Sequence, residues 1–184
     1  MNATEFVQGH EVQRVVGIAD MVVSSNPNER IITHALGSCL GIVIYDPVAR
    51  VGGLLHALLP DSTLSAERAK ENPDAFVDTG VPRLFRAAYA LGATKPRLIV
   101  TVAGGASMRA AGVDPESDVF QIGRKNFVAL RRILWKNSVM ITSHDVGGSI
   151  SRTMQVRISD GRVRVTNNGV EIPLASGSGG AAWP

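Results

Sequence analysis

Apolar residues in this chain come in short runs separated by glycine, proline and small polar clusters, and the spacing within most runs is that of strands. Val15, Val16, Ile18, Met21 and Val23 suggest one strand with blurred edges, closed by the turn-forming Ser24-Ser25-Asn26-Pro27-Asn28. Ile31-Ile32-Thr33 follows, Gly37-Ser38 interrupts it, and Cys39 to Tyr45 resumes with the strong strand formers Ile42, Val43, Ile44 and Tyr45. A turn at Asp46-Pro47 leads into residues 51–59, VGGLLHALL, which read as a buried strand because two adjacent glycines weaken a helix. Residues 61–80 are polar and charged, which predicts a surface excursion, helical around Leu64 to Lys70.

Helical spacing appears twice. Leu84, Phe85, Ala88 and Leu91 predict a helix opened by Pro82 and stopped by Gly92. Phe127, Leu130, Ile133 and Leu134 predict an amphipathic helix over about 123–136. Arg97 to Val102, ended by Gly104-Gly105, and Val139 to Thr142 read as further strands. Met154, Val156 and Ile158 alternate with polar residues, Asp160-Gly161 is a hairpin turn signal, and Val163 and Val165 alternate in their turn, so a half-exposed hairpin is expected. The tail over 175–184 reads as flexible. Strands outnumber helices, and the expectation is a mixed α/β (α+β) fold with substantial antiparallel pairing.

Composition narrows the possible chemistry. At 184 residues, 45% hydrophobic and 19% charged, the chain is expected to form a single domain over 1–184, its core about 15–165. A single cysteine cannot make an internal disulfide or a cysteine-clustered zinc site, so the thiol is free. The first residues, MNATEFVQGHEVQR, lack a signal pattern, and no run approaches the roughly 18 apolar residues of a membrane span, so a soluble, cytoplasmic protein that is not membrane-inserted is expected. The net charge of +3 leaves the partner open, although fifteen of the nineteen basic residues are arginine. Arg157, Arg162 and Arg164 on the C-terminal hairpin, joined by Arg131 and Arg132, raise a nucleic-acid surface. Two Trp and two Tyr give little base stacking, so a solvated basic face is the plainer reading and no nucleic-acid partner is expected. AGGASM at 103–108 lacks the glycine spacing of a dinucleotide-binding turn.

One constellation carries chemistry. Cys39 enters an apolar strand after the Gly37-Ser38 break, and His56 lies seventeen residues on in the next strand. If their hairpin pairs residues whose numbers sum to an odd value, such as 46 with 51, Cys39 and His56 share a face as diagonal neighbours roughly 7–8 Å apart at the backbone. An even sum sends them to opposite faces. Beside an imidazole, a thiol can become the thiolate that attacks a carbonyl carbon. Thr33 is the nearest polar group to orient the histidine, and N–H groups around Ser38-Cys39 are candidates to hold an oxyanion. The plainer alternatives are a buried structural cysteine and a core histidine. His34 and His144 compete as bases and read as surface or loop residues. A metal site from Cys39, His34, His56, His144 and Asp145 shows no helical ligand spacing and is set aside. Gly104, Gly105, Asn126, Gly147, Gly148 and Arg152 are candidates to shape the site, with Arg152 also readable as a surface charge.

The segment ITHALGSCLGIVIYDPVARVGGLLHALLP closely resembles the signature of the CheD-type chemoreceptor glutamine deamidases: a Thr, Leu-Gly-Ser-Cys opening a strand, then Gly-Gly and a His before Leu-Pro. AGGASM, IGRKN at 122–126 and DVGGSISR at 145–152 resemble further blocks of that family, with Arg124 and Ser151 departing from its usual residues. The resemblance implies Cys39 as nucleophile, His56 as general base and Thr33 as the third member of the set. It implies β-sandwich-like sheets with flanking helices, similar to the catalytic domain of the cytotoxic necrotizing factor toxins. It further implies hydrolysis of receptor glutamine side chains to glutamate with release of ammonia, without a cofactor. Methyl-accepting chemotaxis receptors would be the substrates and a CheC-type phosphatase a regulating partner. The alternative is a catalytically silent binding module for a chemoreceptor or such a phosphatase.

Overall fold

The computed structural model describes residues 11–107 and 121–176. Its centre is the hairpin of β4 (Leu40–Asp46) and β5 (Val51–Ala57), whose strand residues are all buried. Asp46 pairs with Val51, the odd register, and the ladder runs on to Leu40 opposite Ala57. The turn is held by the buried Asp46 carboxylate, which accepts from the N–H groups of Val48 (2.9 Å), Ala49 (3.0 Å) and Thr94 (2.9 Å) and pairs with Arg97 at 2.8 Å. Arg97 foremost, aided by those N–H donors, holds the Asp46 carboxyl far below the usual carboxylate range. Asp46→Asn is therefore expected to lower stability at pH 7 by about 2 kcal/mol. Because a depressed carboxyl stabilises above its unfolded pKa of 3.8, wild type and variant should converge as the pH falls below that value, as thermal unfolding at pH 7 and pH 3 would read.

Around the hairpin lie two sheets. The six-stranded sheet has the order β11 (Ala175–Ser176), β7 (Ser143–Val146), β6 (Ile99–Gly104), β4, β5, β2 (Asp20–Ser24). The five-stranded sheet has the order β1 (Val12–Val16), β3 (Glu29–Leu36), β8 (Arg152–Arg157), β9 (Val163–Asn167), β10 (Val170–Glu171). Pairing is antiparallel except for β1 with β3 and β6 with β7. Val16, Ile31, Leu36, Val43, Leu54, Met154, Val156 and Ile158 fill the space between the sheets. On the far face of the six-stranded sheet, Leu40, Ile42, Ile44 and Leu55 pack against Leu84 and Phe85 of α2 (Val77–Ala90) and Leu130 and Leu134 of α3 (Ile122–Lys136). The expected sandwich with flanking helices is thus present. Short α1 (Ala66–Glu71) with one-turn helices at Ser62–Leu64 and Pro73–Ala75 forms the surface excursion over its first part only, since Ala75, Phe76 and Val77 are fully buried and α2 begins inside the expected stretch. Among the described residues no helix is long and apolar enough to cross a membrane.

Three local expectations are corrected. The blurred strand over 15–23 is two strands, β1 and β2, which lie in different sheets because the chain turns at Ala19 (φ 58°). Pro82 lies inside α2, not at its start: Phe76 is fully buried and the Val77 N–H bonds the Leu59 carbonyl at 2.8 Å, which starts the helix earlier than proline does. The strand expected at 139–142 begins at Ser143, since Ser138 (φ 55°) and Val139 close the end of α3 by donating to the carbonyls of Trp135 and Leu134. Of the tail, residues 177–184 lie outside the described residues, as does Met108, while Ala175 and Ser176 pair with β7.

Candidate active site

The odd register puts His56 opposite Gly41 and leaves Cys39 one residue before Leu40, the partner of Ala57. Residues 54 and 56 alternate with 55 and 57, so His56 faces the five-stranded sheet, as do Leu54, Val43 and Cys39. Thiol and imidazole therefore share the inter-sheet face as diagonal neighbours, the arrangement that the sequence made conditional on register. His56 is fully buried and Cys39 is 7% exposed.

Thr33 reaches this face from the other sheet. Between Thr33, opposite Met154, and Leu36, opposite Arg152, β3 takes three steps while β8 takes two, a β-bulge at His34–Ala35 with Ala35 at φ 57°. The extra residue lets both Thr33 and Leu36 point inward, and His34 outward. Thr33 Oγ1 donates to the Val16 carbonyl at 2.8 Å and lies 2.7 Å from His56 Nδ1. A hydroxyl has one proton, already given to Val16, so Oγ1 accepts from a protonated Nδ1. His56 Nε2 is then the basic nitrogen, and it is buried without a hydrogen-bond partner. Burial pulls the His56 pKa down to about 4 and pushes the Cys39 thiol up, the latter opposed by the residue's own backbone N–H. At neutral pH both groups rest uncharged, not as an ion pair.

The backbone around the thiol is tied on its carbonyl side. The Gly37 carbonyl accepts from Ala106 N–H (2.8 Å), the Cys39 carbonyl from Gly105 N–H (2.8 Å), and the Ser38 carbonyl from Asn126 Nδ2 (3.0 Å). Among the described residues, no carbonyl accepts from the N–H groups of Ser38 and Cys39. Close approach makes glycine obligatory at 104: with φ +109°, a Cβ there would lie 2.2 Å from the Cys39 oxygen.

Other sequence candidates take different places. His34 is exposed beside Thr153, and His144, half-buried in β7, stacks edge-on with Phe127. Arg152 is not a surface charge: it is 5% exposed and bonds Asp145 at 2.6 and 3.3 Å and the Ile150 carbonyl at 2.9 Å. Arg131 and Arg132 lie on α3, over the opposite side of the molecule from the hairpin arginines. The hairpin arginines border a groove of about 210 Å³, where Arg30 pairs with Glu11, Arg157 with Asp160 and Arg164 with Glu171. Among the described residues no three His, Cys, Asp or Glu side chains gather as metal ligands would. Asn126 is the residue whose part the sequence did not define. Its signal is a polar residue on the buried stripe of α3, with Gly123, Phe127, Leu130 and Leu134.

Residues 58–167 match the protein family described as CheD chemotactic sensory transduction. The chain is 46% identical over 155 residues, 84% of its length and 94% of the relative's, to a protein of Syntrophus aciditrophicus (strain SB) named "Probable chemoreceptor glutamine deamidase CheD 1". It is 46% identical over 162 residues, 88% of its length and 93% of the relative's, to "Probable chemoreceptor glutamine deamidase CheD" of Solibacter usitatus (strain Ellin6076). A protein of Anaeromyxobacter dehalogenans (strain 2CP-C), "Probable chemoreceptor glutamine deamidase CheD 2", is 46% identical over 159 residues, 86% of this chain and 97% of that one.

Proposed function

The chain belongs to the CheD family, and on that premise we propose that it is a protein-glutamine deamidase, converting glutamine side chains of chemoreceptors to glutamate through a thioester on Cys39. The observation that carries the chemistry is the His56 ring: Nδ1 is engaged by Thr33, and the basic Nε2 lies unpartnered on the face it shares with Cys39.

In this reading His56 Nε2 takes the thiol proton as Cys39 Sγ attacks the carboxamide carbon. The carbonyl oxygen becomes an oxyanion, received by the N–H groups of Ser38 and Cys39, from which no backbone carbonyl accepts among the described residues. Collapse expels the nitrogen, which leaves as ammonia with the proton from Nε2. Nε2 then removes a proton from water, whose oxygen attacks the thioester. Glutamate is released, and the proton returns to Sγ. Thr33 holds the ring tautomer throughout, so Nε2 rather than Nδ1 faces the reaction. A neutral resting pair suits this sequence, since the thiolate forms only as the carboxamide arrives and desolvated charge is avoided in the empty site. The same proposal takes a CheC-type phosphatase as a regulating partner.

The test incubates the protein with the cytoplasmic domain of a chemoreceptor and follows intact-peptide mass. The expected result is a gain of about one dalton at specific glutamines with one ammonia released per event. Stable complex formation without any mass change would replace this function with that of a binding module.

A further inference from the structure

Asn126 is a fully buried amide on α3 that uses both protons of Nδ2, one on the Ser38 carbonyl and one on the Leu58 carbonyl, each at 3.0 Å. Its Oδ1 has no partner. A buried acceptor left unmade costs stability, and an apolar residue on this stripe would avoid that cost only by taking the donor from the Ser38 and Leu58 carbonyls, so the two hydrogen bonds, not packing, account for an asparagine here. What it supplies is two donors aimed at two separate segments. One segment precedes Cys39 and the other follows His56 by two residues. Leu58 is held from the other side by its own N–H on the Ala75 carbonyl at 2.9 Å.

The peptide joining Ser38 to Cys39 is planar and trans, so its C=O and N–H point in opposite directions. Fixing the Ser38 oxygen therefore fixes the direction of the Cys39 N–H. With the Ser38 carbonyl drawn to Asn126, that N–H lies toward the sulfur of its own residue, where it favours the thiolate. We propose that Asn126 is a positioning residue for the reaction: it aims the Cys39 N–H at the thiolate and developing oxyanion and sets the spacing of thiol and imidazole. The inference rests on Cys39 being the nucleophile. Groups that must meet a transition state need holding to about 0.5 Å, and a single amide spanning both segments does this directly.

The experiment compares Asn126→Ala and the equal-volume Asn126→Asp with an Ile133→Ala control, a partly buried helix position away from the site, at a temperature where all are folded. Receptor deamidation gives kcat and KM, and the pH profile of iodoacetamide alkylation gives the midpoint of Cys39, the chain's sole thiol. A fall in kcat of about 10- to 100-fold is expected, with KM within about two-fold and an alkylation midpoint moved upward. The control should keep both kcat and midpoint. Simple loosening would instead hydrate the thiol and move the midpoint down. If whichever Asn126 variant folds leaves midpoint and kcat unchanged, or lowers the midpoint, the proposal is overturned. Alkylation needs no receptor, so an upward midpoint in a protein that never deamidates would sustain the aiming of the Cys39 N–H at its sulfur and reject the functional reading alone.

Discussion

Cys39→Ala is expected to abolish receptor deamidation, by about 10⁴-fold or more, while leaving the fold intact. The chain has one cysteine, so no second thiol can substitute. Sγ is a single atom at the surface end of the inter-sheet core, and its loss leaves a small void costing about 1 kcal/mol. Far-ultraviolet circular dichroism and a melting curve near wild type, beside a flat mass trace over hours, are the expected pair of results. Full activity in the variant would move the nucleophile elsewhere and end the thioester mechanism.

His56→Asn should be nearly as damaging to activity, about 10³-fold, because it removes the proton carrier while retaining a side-chain donor toward Thr33. It also has a signature independent of catalysis. The folded His56 has a pKa of about 4 against 6.5 unfolded, so between those values the unfolded chain takes up a proton that the native state refuses. Native stability therefore falls as the pH drops from 6.5 to about 4, by roughly 3 kcal/mol in total, and the contribution is complete above 6.5. Asparagine does not titrate, so the variant's stability should decline less across that window by the same amount. Urea unfolding at pH 7, 5.5 and 4 measures it. The same low pKa places the acid limb of wild-type kcat/KM near 4, and a limb near 6.5 would mean that the histidine is solvated in the working enzyme.

How much of this was legible beforehand differs from residue to residue. The Cys39–His56 relation was legible because both lie on one hairpin, where register is a matter of parity and Asp46-Pro47 marks the turn. The β8–β9 hairpin, with its strict alternation and Asp160-Gly161, was legible for the same reason. Thr33 could be nominated but not placed. Periodicity counted through β3 fails at the bulge, where one extra residue reverses the face, and its contact with His56 crosses between sheets, which no spacing encodes. The split of residues 12–24 into strands of two sheets was hidden likewise, since both halves carry the same β-branched composition. Asn126 stood among the residues able to shape the site, but its two acceptors are backbone carbonyls from segments 88 and 68 residues away. Side-chain identity says nothing of such partners.

That dispersal has a consequence for the order of events during synthesis. A nascent chain carries Thr33, Cys39 and His56 once residue 56 has emerged, yet these three side chains alone do not make the site. The amides that hold the thiol loop belong to Gly105, Ala106 and Asn126, and the strand that pairs with the Thr33 backbone spans Arg152–Arg157. A ribosome-bound chain stalled before that last strand would therefore hold the proposed nucleophile, base and orienting hydroxyl and lack the frame around them. On the proposed function, competence arrives late, in the docking of one sheet upon the other, once the chain through Arg157 has folded.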